Sequence, residues 1–429
     1  MWYLVFAFWL LTAVFGNKFL KFSIMGINPV YALIGFGILC FIYFFFMKKI
    51  KIKTDFNENG TYLVKKLYTS AFIYFVYNVL IIIFSYLNLY SVFEESGFEY
   101  KSYFVLRQSY FIFLIPFICV LVYCLYSKGL PKFIFDKPVI VITVLILFSL
   151  RMLNYASGNA DTYVNAITVG PFIICLATYY AVMYKGIFPK LIFIIAGLTT
   201  QISQTAYIIG FLLICVFMIF EKQFLRLLSK NLTFKVYAVI VVLVVAVIIG
   251  FDYISGLVAN DANTQWRFQY WMHEIGILVN TYFIGVGYGM PYGSEHLFSE
   301  INNPYCFVVA NDGMAIQADV LYVVPQHNSI INQFYRLGLI GGILFINIII
   351  NICKLSFNDI KNKTGYEKNL VKWGFLNFLY NLVIIIFNPG LESPKFMFGM
   401  LFSTAILIGS ILHINKQNTE LSAEVYAAV

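Results

Sequence analysis

Long apolar runs recur along the whole chain, broken by short polar joints. Runs of about 18 residues or more are each long enough to cross a hydrocarbon core as a helix. The pattern predicts twelve spans, at about 1–16, 28–47, 67–91, 105–126, 138–153, 163–184, 188–200, 203–221, 235–255, 328–353, 371–388 and 394–414. The first, fifth and seventh are short, so the reading admits ten to twelve. No basic residue precedes the run 1–16, which is therefore expected to be a first span rather than a cleavable signal. The expected fold class is an all-α, polytopic membrane protein. It divides into an N-terminal bundle (1–255), one large outer segment (256–327), C-terminal spans (328–414) and a tail (415–429).

Composition agrees: 61% of the 429 residues are hydrophobic and 11% charged, far from the balance of a soluble domain. The net charge of +9 raises the question of nucleic acid, but the placement of the cations answers it. Lys-rich joints such as MKKIKIKTDFNENGTYLVKK and KLSFNDIKNKTGYEKNLVK fall at every second connection. With both termini inside, 21 of the 29 Lys and Arg lie on the cytoplasmic side, as the positive-inside rule requires. No nucleic-acid partner is expected. Six of the seven cysteines lie in apolar runs and Cys306 stands alone, so no disulfide framework or metal pair is expected.

The arginines break the lysine pattern. Of five, only Arg226 is on the inner side, whereas Arg107, Arg151, Arg267 and Arg336 fall at the outer ends of spans or in the outer segment. Orientation needs charge alone, which lysine supplies. A planar guanidinium adds a bidentate grip on phosphate or carboxylate.

The outer segment carries His273, His296 and His327, three of the four histidines. Connections of such length are often functional. A helix is expected at 264–280, with Phe268, Met272, Ile275 and Val279 as an apolar stripe against the membrane or the bundle. Arg267, Trp271, Glu274 and Leu278 form the neighbouring stripe. The acidic residues of the segment, Glu274 among them, are spread singly and read mostly as solvated, so no metal site is expected. The glycine-rich IGVGYGMPYG (284–293) lacks the Lys-Ser/Thr of a phosphate loop and is expected to be a tight turn closing that helix.

In PQHNSIINQFYRLGLIGG (325–342), Asn328 or Ser329 can cap the next span. Its amide dipole would keep His327 neutral and available as a base. Gly338, Gly341 and Gly342 would let a neighbouring helix approach.

Taken in order, R267-F-Q-Y-W271, N-T-Y-F-I-G-V-G-Y-G, H327-N328-S-I-I and G338-L-I-G341 resemble the O-antigen polymerase/ligase family. The motifs span about 264–342, and the twelve-span layout with one large outer segment extends the likeness to the whole chain. The resemblance implies a metal-independent GT-C type glycosyltransferase without cofactor, in the bacterial inner membrane, with its active site facing the periplasm. Its implied substrate is undecaprenyl-diphosphate-linked oligosaccharide, as both donor and acceptor. Membrane lipid and a chain-length regulator protein are the further implied partners.

In that reading His327 takes the proton of the acceptor hydroxyl, and Arg267, Arg336 and Arg151 hold the diphosphate. Trp271, Asn328, Gln204 and Arg107 support them, and Trp266, Tyr270, Tyr288 and Tyr292 suit sugar faces. One departure is Gln204, which stands where the family pattern has arginine; Arg151 or Arg107 would then supply the missing charge. An O-antigen ligase acting on lipid A–core, and a lipid-linked oligosaccharide flippase, are the alternatives. Charges gathered at one face rather than along a cavity count against the flippase.

Overall fold

The computed structural model describes residues 2–15, 29–47, 58–89, 100–131, 134–157, 166–200, 205–229, 231–249, 262–292, 322, 328–388, 391 and 394–428. Among them every regular element is helical. That is what a bilayer demands of a spanning backbone, which must satisfy its own hydrogen bonds. In chain order the helices are α1 (Trp2–Phe15), α2 (Pro29–Phe41, continued by a π-turn), α3 (Glu58–Tyr86), α4 (Tyr103–Gln108) and α5 (Leu114–Lys128). There follow α6 (Lys137–Ala156), α7 (Ala166–Met183), α8 (Ile187–Thr200), α9 (Thr205–Ile219), α10 (Glu221–Ser229) and α11 (Leu232–Ile249). The chain ends with α12 (Ala262–Asn280), α13 (Ser329–Asn362), α14 (Gly365–Phe387) and α15 (Pro394–Ala428).

Among the described residues six helical segments are long and apolar enough to cross a membrane alone: Asn59–Tyr86, Phe111–Lys128, Lys137–Asn154, Ser329–Asn362, Gly365–Phe387 and Phe398–Lys416. A seventh arises if α9 and α10, bent by 95° at Phe220, count as one. Five further apolar helices among the described residues are shorter than a full span. The chain is thus an all-α, multi-pass membrane protein. Each of the twelve expected runs meets an apolar helix, and among the described residues half of them reach spanning length unaided.

Boundaries shift where a helix runs on into polar sequence. α3 begins at Glu58 rather than near 67, α13 continues to Asn362, and α15 carries the expected tail in helix to Ala428. Hydropathy marks where a helix leaves lipid, not where its hydrogen bonding stops.

The bundle is apolar outside, and its interior is an apolar core set with polar side chains. On α3 the exposed positions include Phe72, Ile73, Val76, Leu80 and Phe84, while Tyr74, Asn78, Ile81 and Ser85 are buried. The buried set recurs every three or four residues, so one face carries hydroxyls and an amide inward. α14 lies at the centre, against α7, α9, α13 and α15. Its Trp373 is fully buried and donates from Nε1 to the Cys175 carbonyl at 2.9 Å.

Helix ends gather in two rims. One is rich in lysine: Lys354 Nζ meets Thr233 Oγ1 at 2.6 Å, Lys363 Nζ meets Asn415 Oδ1 at 3.1 Å, and Lys368 and Lys372 both grip Glu221 at 2.6 Å. Those contacts fix the bent α10 to α14. The opposite rim holds the end of α3, α4, the start of α13 and the turn after α14, where Ser329 Oγ accepts from the Leu391 N–H at 3.1 Å. α13 and α3 pack antiparallel between the rims, Asn59 meeting Asn358 near one end and Tyr77 meeting Leu337 near the other.

Candidate functional site

α13 is not one continuous helix. At Gly338 the backbone turns to φ 68°, ψ −171°, a conformation open to glycine. The break releases backbone groups two turns inside the helix, and each must be satisfied in this dry setting. The glycine-rich segment after α12 does so. Val286 N–H donates to Tyr335 O at 2.9 Å, Gly287 N–H to Arg336 O at 3.0 Å, and Leu339 N–H to Phe283 O at 2.8 Å. Tyr77 of α3 donates its hydroxyl to Leu337 O at 2.8 Å.

This approach is backbone against backbone. A Cβ on Gly285, at φ 85°, would stand 2.5 Å from Gly338 N and 2.9 Å from Arg336 O. The glycines 285, 287 and 289 all take positive φ. The segment is therefore a turn, as expected, but one buried in the bundle. Gly338 differs from expectation: it receives this turn, not a neighbouring helix. Gly341 does face a helix, meeting the Tyr77 ring.

Arg336 is presented by the break. It is 1% exposed, and its Nη1 donates to Gly287 O at 3.2 Å and Met290 O at 2.8 Å. The Tyr292 ring lies 4.2 Å and the Tyr335 ring 5.0 Å from its Cζ, within cation–π range. Tyr335 is itself tied by its hydroxyl to Pro291 O at 2.7 Å. Nε and Nη2 of Arg336 have no hydrogen-bond partner among the described residues. Those two N–H groups lie side by side on the guanidinium and form the fork that grips an oxyanion bidentately. A buried cation with two open donors is costly unless an anion completes it.

α12 packs on α13 with one face. Tyr270, Glu274 and Leu278 are buried, Arg267 and Trp271 half-buried, and Ile275 and Val279 exposed. The apolar stripe is thus half-buried at Phe268 and Met272 and exposed only at Ile275 and Val279, while the stripe that begins at Arg267 becomes fully buried at Glu274 and Leu278. Glu274, expected to be solvated, is 1% exposed instead. It sits one turn from Tyr270, whose hydroxyl is held protonated well above its ordinary range, first by burial and then by the Glu274 charge, with Arg336 opposing. The Trp271 indole N–H has no partner among the described residues. Arg267, Trp271 and Arg336 thus belong to packed faces of adjoining helices.

The other expected residues divide. Asn328 caps α13, its Oδ1 accepting from Ile330 and Ile331 N–H at 3.0 Å each. Arg107 is exposed on α4. Arg151 is fully buried on α6, which packs on α7 and α8, and none of the described groups around Arg336 comes from α6. His327, Gln204 and the Trp266 side chain lie outside the described residues. Tyr270, Tyr288 and Tyr292, expected to suit sugar faces, turn inward. Tyr288 is occupied structurally: its N–H donates to Ser85 Oγ at 2.9 Å and its hydroxyl to Asn78 Oδ1 at 2.8 Å. Among the described residues, no three His, Cys, Asp or Glu side chains gather where a metal ion would bind.

Sequence reasoning missed Gln108 and Tyr335 and took Glu274 for a solvated acid. Only their polarity inside or beside apolar runs signals them, since what buries them comes from distant parts of the chain. Compared with known proteins, the chain matches no family model and no curated sequence.

Proposed function

We propose that the chain is a membrane glycosyltransferase that polymerises undecaprenyl-diphosphate-linked O-antigen repeat units on the periplasmic face of the bacterial inner membrane. In this reading twelve helices span the membrane in a GT-C type arrangement, with the lysine-rich rim in the cytoplasm. The acceptor hydroxyl oxygen bonds to the anomeric carbon of the donor glycan as the bond from that carbon to the diphosphate oxygen breaks. The hydroxyl proton passes to His327, and undecaprenyl diphosphate leaves.

The observation that carries the reading is Arg336. Its guanidinium is buried, anchored on one side by two carbonyls and an aromatic ring, with the bidentate edge left to a ligand. A leaving diphosphate needs fixed donors aimed at its growing charge, and preorganised donors in a dry site are the strongest kind. Arg267 and Trp271 on the adjoining face of α12 support the same anion.

Deletion of the gene, followed by electrophoresis of lipopolysaccharide, tests the proposal. A polymerase leaves core carrying a single repeat unit, restored to a ladder by the wild-type gene. Loss of every attached repeat would indicate the ligase instead, and an unchanged ladder would refute both.

A further inference from the structure

Gln108, the last residue of α4, is 3% exposed and uses its whole amide head. Oε1 accepts from Gly289 N–H at 2.7 Å, and Nε2 donates to Met290 O at 2.9 Å and to Tyr322 O at 3.1 Å. Two donors and one acceptor in one plane are a set that only a primary amide supplies here. The Met290 carbonyl is shared: it accepts from Gln108 on one side and from Arg336 Nη1 on the other.

The surroundings of α4 reinforce this hold. Lys101 N–H donates to Gly289 O at 2.9 Å. The Phe104 and Tyr322 rings stack at 4.8 Å and 12°, with Lys101 Nζ 5.0 Å from the centre of the Tyr322 ring. α4 thus grips both the glycine-rich turn and the chain ahead of α13.

We propose that Gln108 is a positioning residue: by fixing the Met290 carbonyl it sets the direction in which Arg336 presents its Nε–Nη2 edge to an oxyanion. The inference rests on the reading of Arg336 as an oxyanion donor. Gln108 itself has no donor left for a ligand, so its effect passes through Arg336. Side chains that hold a binding group in place act in this indirect manner.

The test is a double-mutant cycle on the purified full-length protein in detergent, with inorganic pyrophosphate as probe and calorimetry as readout. Gln108→Met keeps the length and removes all three hydrogen bonds. It is expected to weaken pyrophosphate binding ~10-fold in the otherwise wild-type chain, a typical coupling for groups in one network. Combined with Arg336→Lys, which lacks the fork, the same change is expected to cost less than ~2-fold.

Should Gln108→Met fail to fold, Gln108→Asn serves in its place, since it keeps an amide but withdraws it from Met290 by one methylene. An equal loss in both backgrounds, or no loss in either, overturns the positioning role. If Arg336→Lys alone binds pyrophosphate as wild type does, the reading of Arg336 fails, and this inference fails with it.

Discussion

Gly338→Ala attacks the break that presents Arg336. At φ 68° and ψ −171° an alanine is strained by about 1–3 kcal/mol. Its Cβ would also overlap the Ile284 and Phe283 carbonyl oxygens, which belong to backbone and cannot swing aside. Relief requires the turn to part from α13. That loosens the bonds from Val286, Gly287 and Leu339, each worth about 1 kcal/mol. Together the terms amount to about 4–6 kcal/mol, a large share of a folded protein's stability.

The assay is unfolding of the full-length protein in detergent micelles, with Gly276→Ala as control. Gly276 lies inside α12 with nothing within 4 Å of an added Cβ. Alanine there is expected to stabilise by about 0.5–1 kcal/mol through helix propensity alone. Gly338→Ala is further expected to lose pyrophosphate binding, because Arg336 hangs from the same hydrogen bonds. If it unfolds within ~0.5 kcal/mol of wild type, the interlock adds nothing and the argument fails.

Arg267→Lys keeps charge but loses the fork, so chain extension is expected to fall ~10²-fold, measured by ladder formation in membranes; near-normal polymer would reduce Arg267 to an anchor. Burial alone would raise the Glu221 carboxyl, but hydrogen bonds from Lys368 and Lys372 and their charges pull it below its ordinary 4.5. Its folded value thus lies under its unfolded one, and the stability it adds is present above pH 4.5 and lost as pH falls through the folded value. Glu221→Gln is accordingly expected to cost about 1 kcal/mol at neutral pH and to flatten the loss of melting temperature below that point; an unchanged acid slope counts against the pair. His327→Asn keeps a good cap residue but no base, so lipopolysaccharide bearing a single repeat is expected, at normal protein levels by blot. A full ladder would remove His327 from the mechanism.

Much of the architecture was legible as hydropathy, because a bilayer leaves the backbone little choice beyond helix. What hydropathy could not give was length. The polar continuations from Glu58 and to Asn362 are held by helical hydrogen bonding and by contacts at the lysine-rich rim, and that to Ala428 by helical hydrogen bonding. The site was half legible. Reserving arginine for the outer side singled out Arg336 and Arg267, but the same signal also raised Arg107, which is exposed, and Arg151, which lies on another helix. Glu274 read as a lone loop acid because its burial depends on α13, more than fifty residues later. Gln108 and the turn at 285–290 are about 180 residues apart, and only folding joins them. Glycine spacing pointed to a turn, yet nothing in it said that the turn would dock on a break at Gly338.

Arg336 gripping a diphosphate during glycan transfer is the central claim. The most direct measurement incubates the purified protein in liposomes with undecaprenyl-diphosphate-linked repeat units, extracted from a strain lacking the gene, as sole substrate. Polymer length and released undecaprenyl diphosphate are followed together. The expected result is a ladder with one undecaprenyl diphosphate released per linkage formed, and a rate ~10²-fold lower for Arg336→Lys at equal protein and equal melting temperature. No ladder from the wild-type protein, or equal rates for the two, would contradict it.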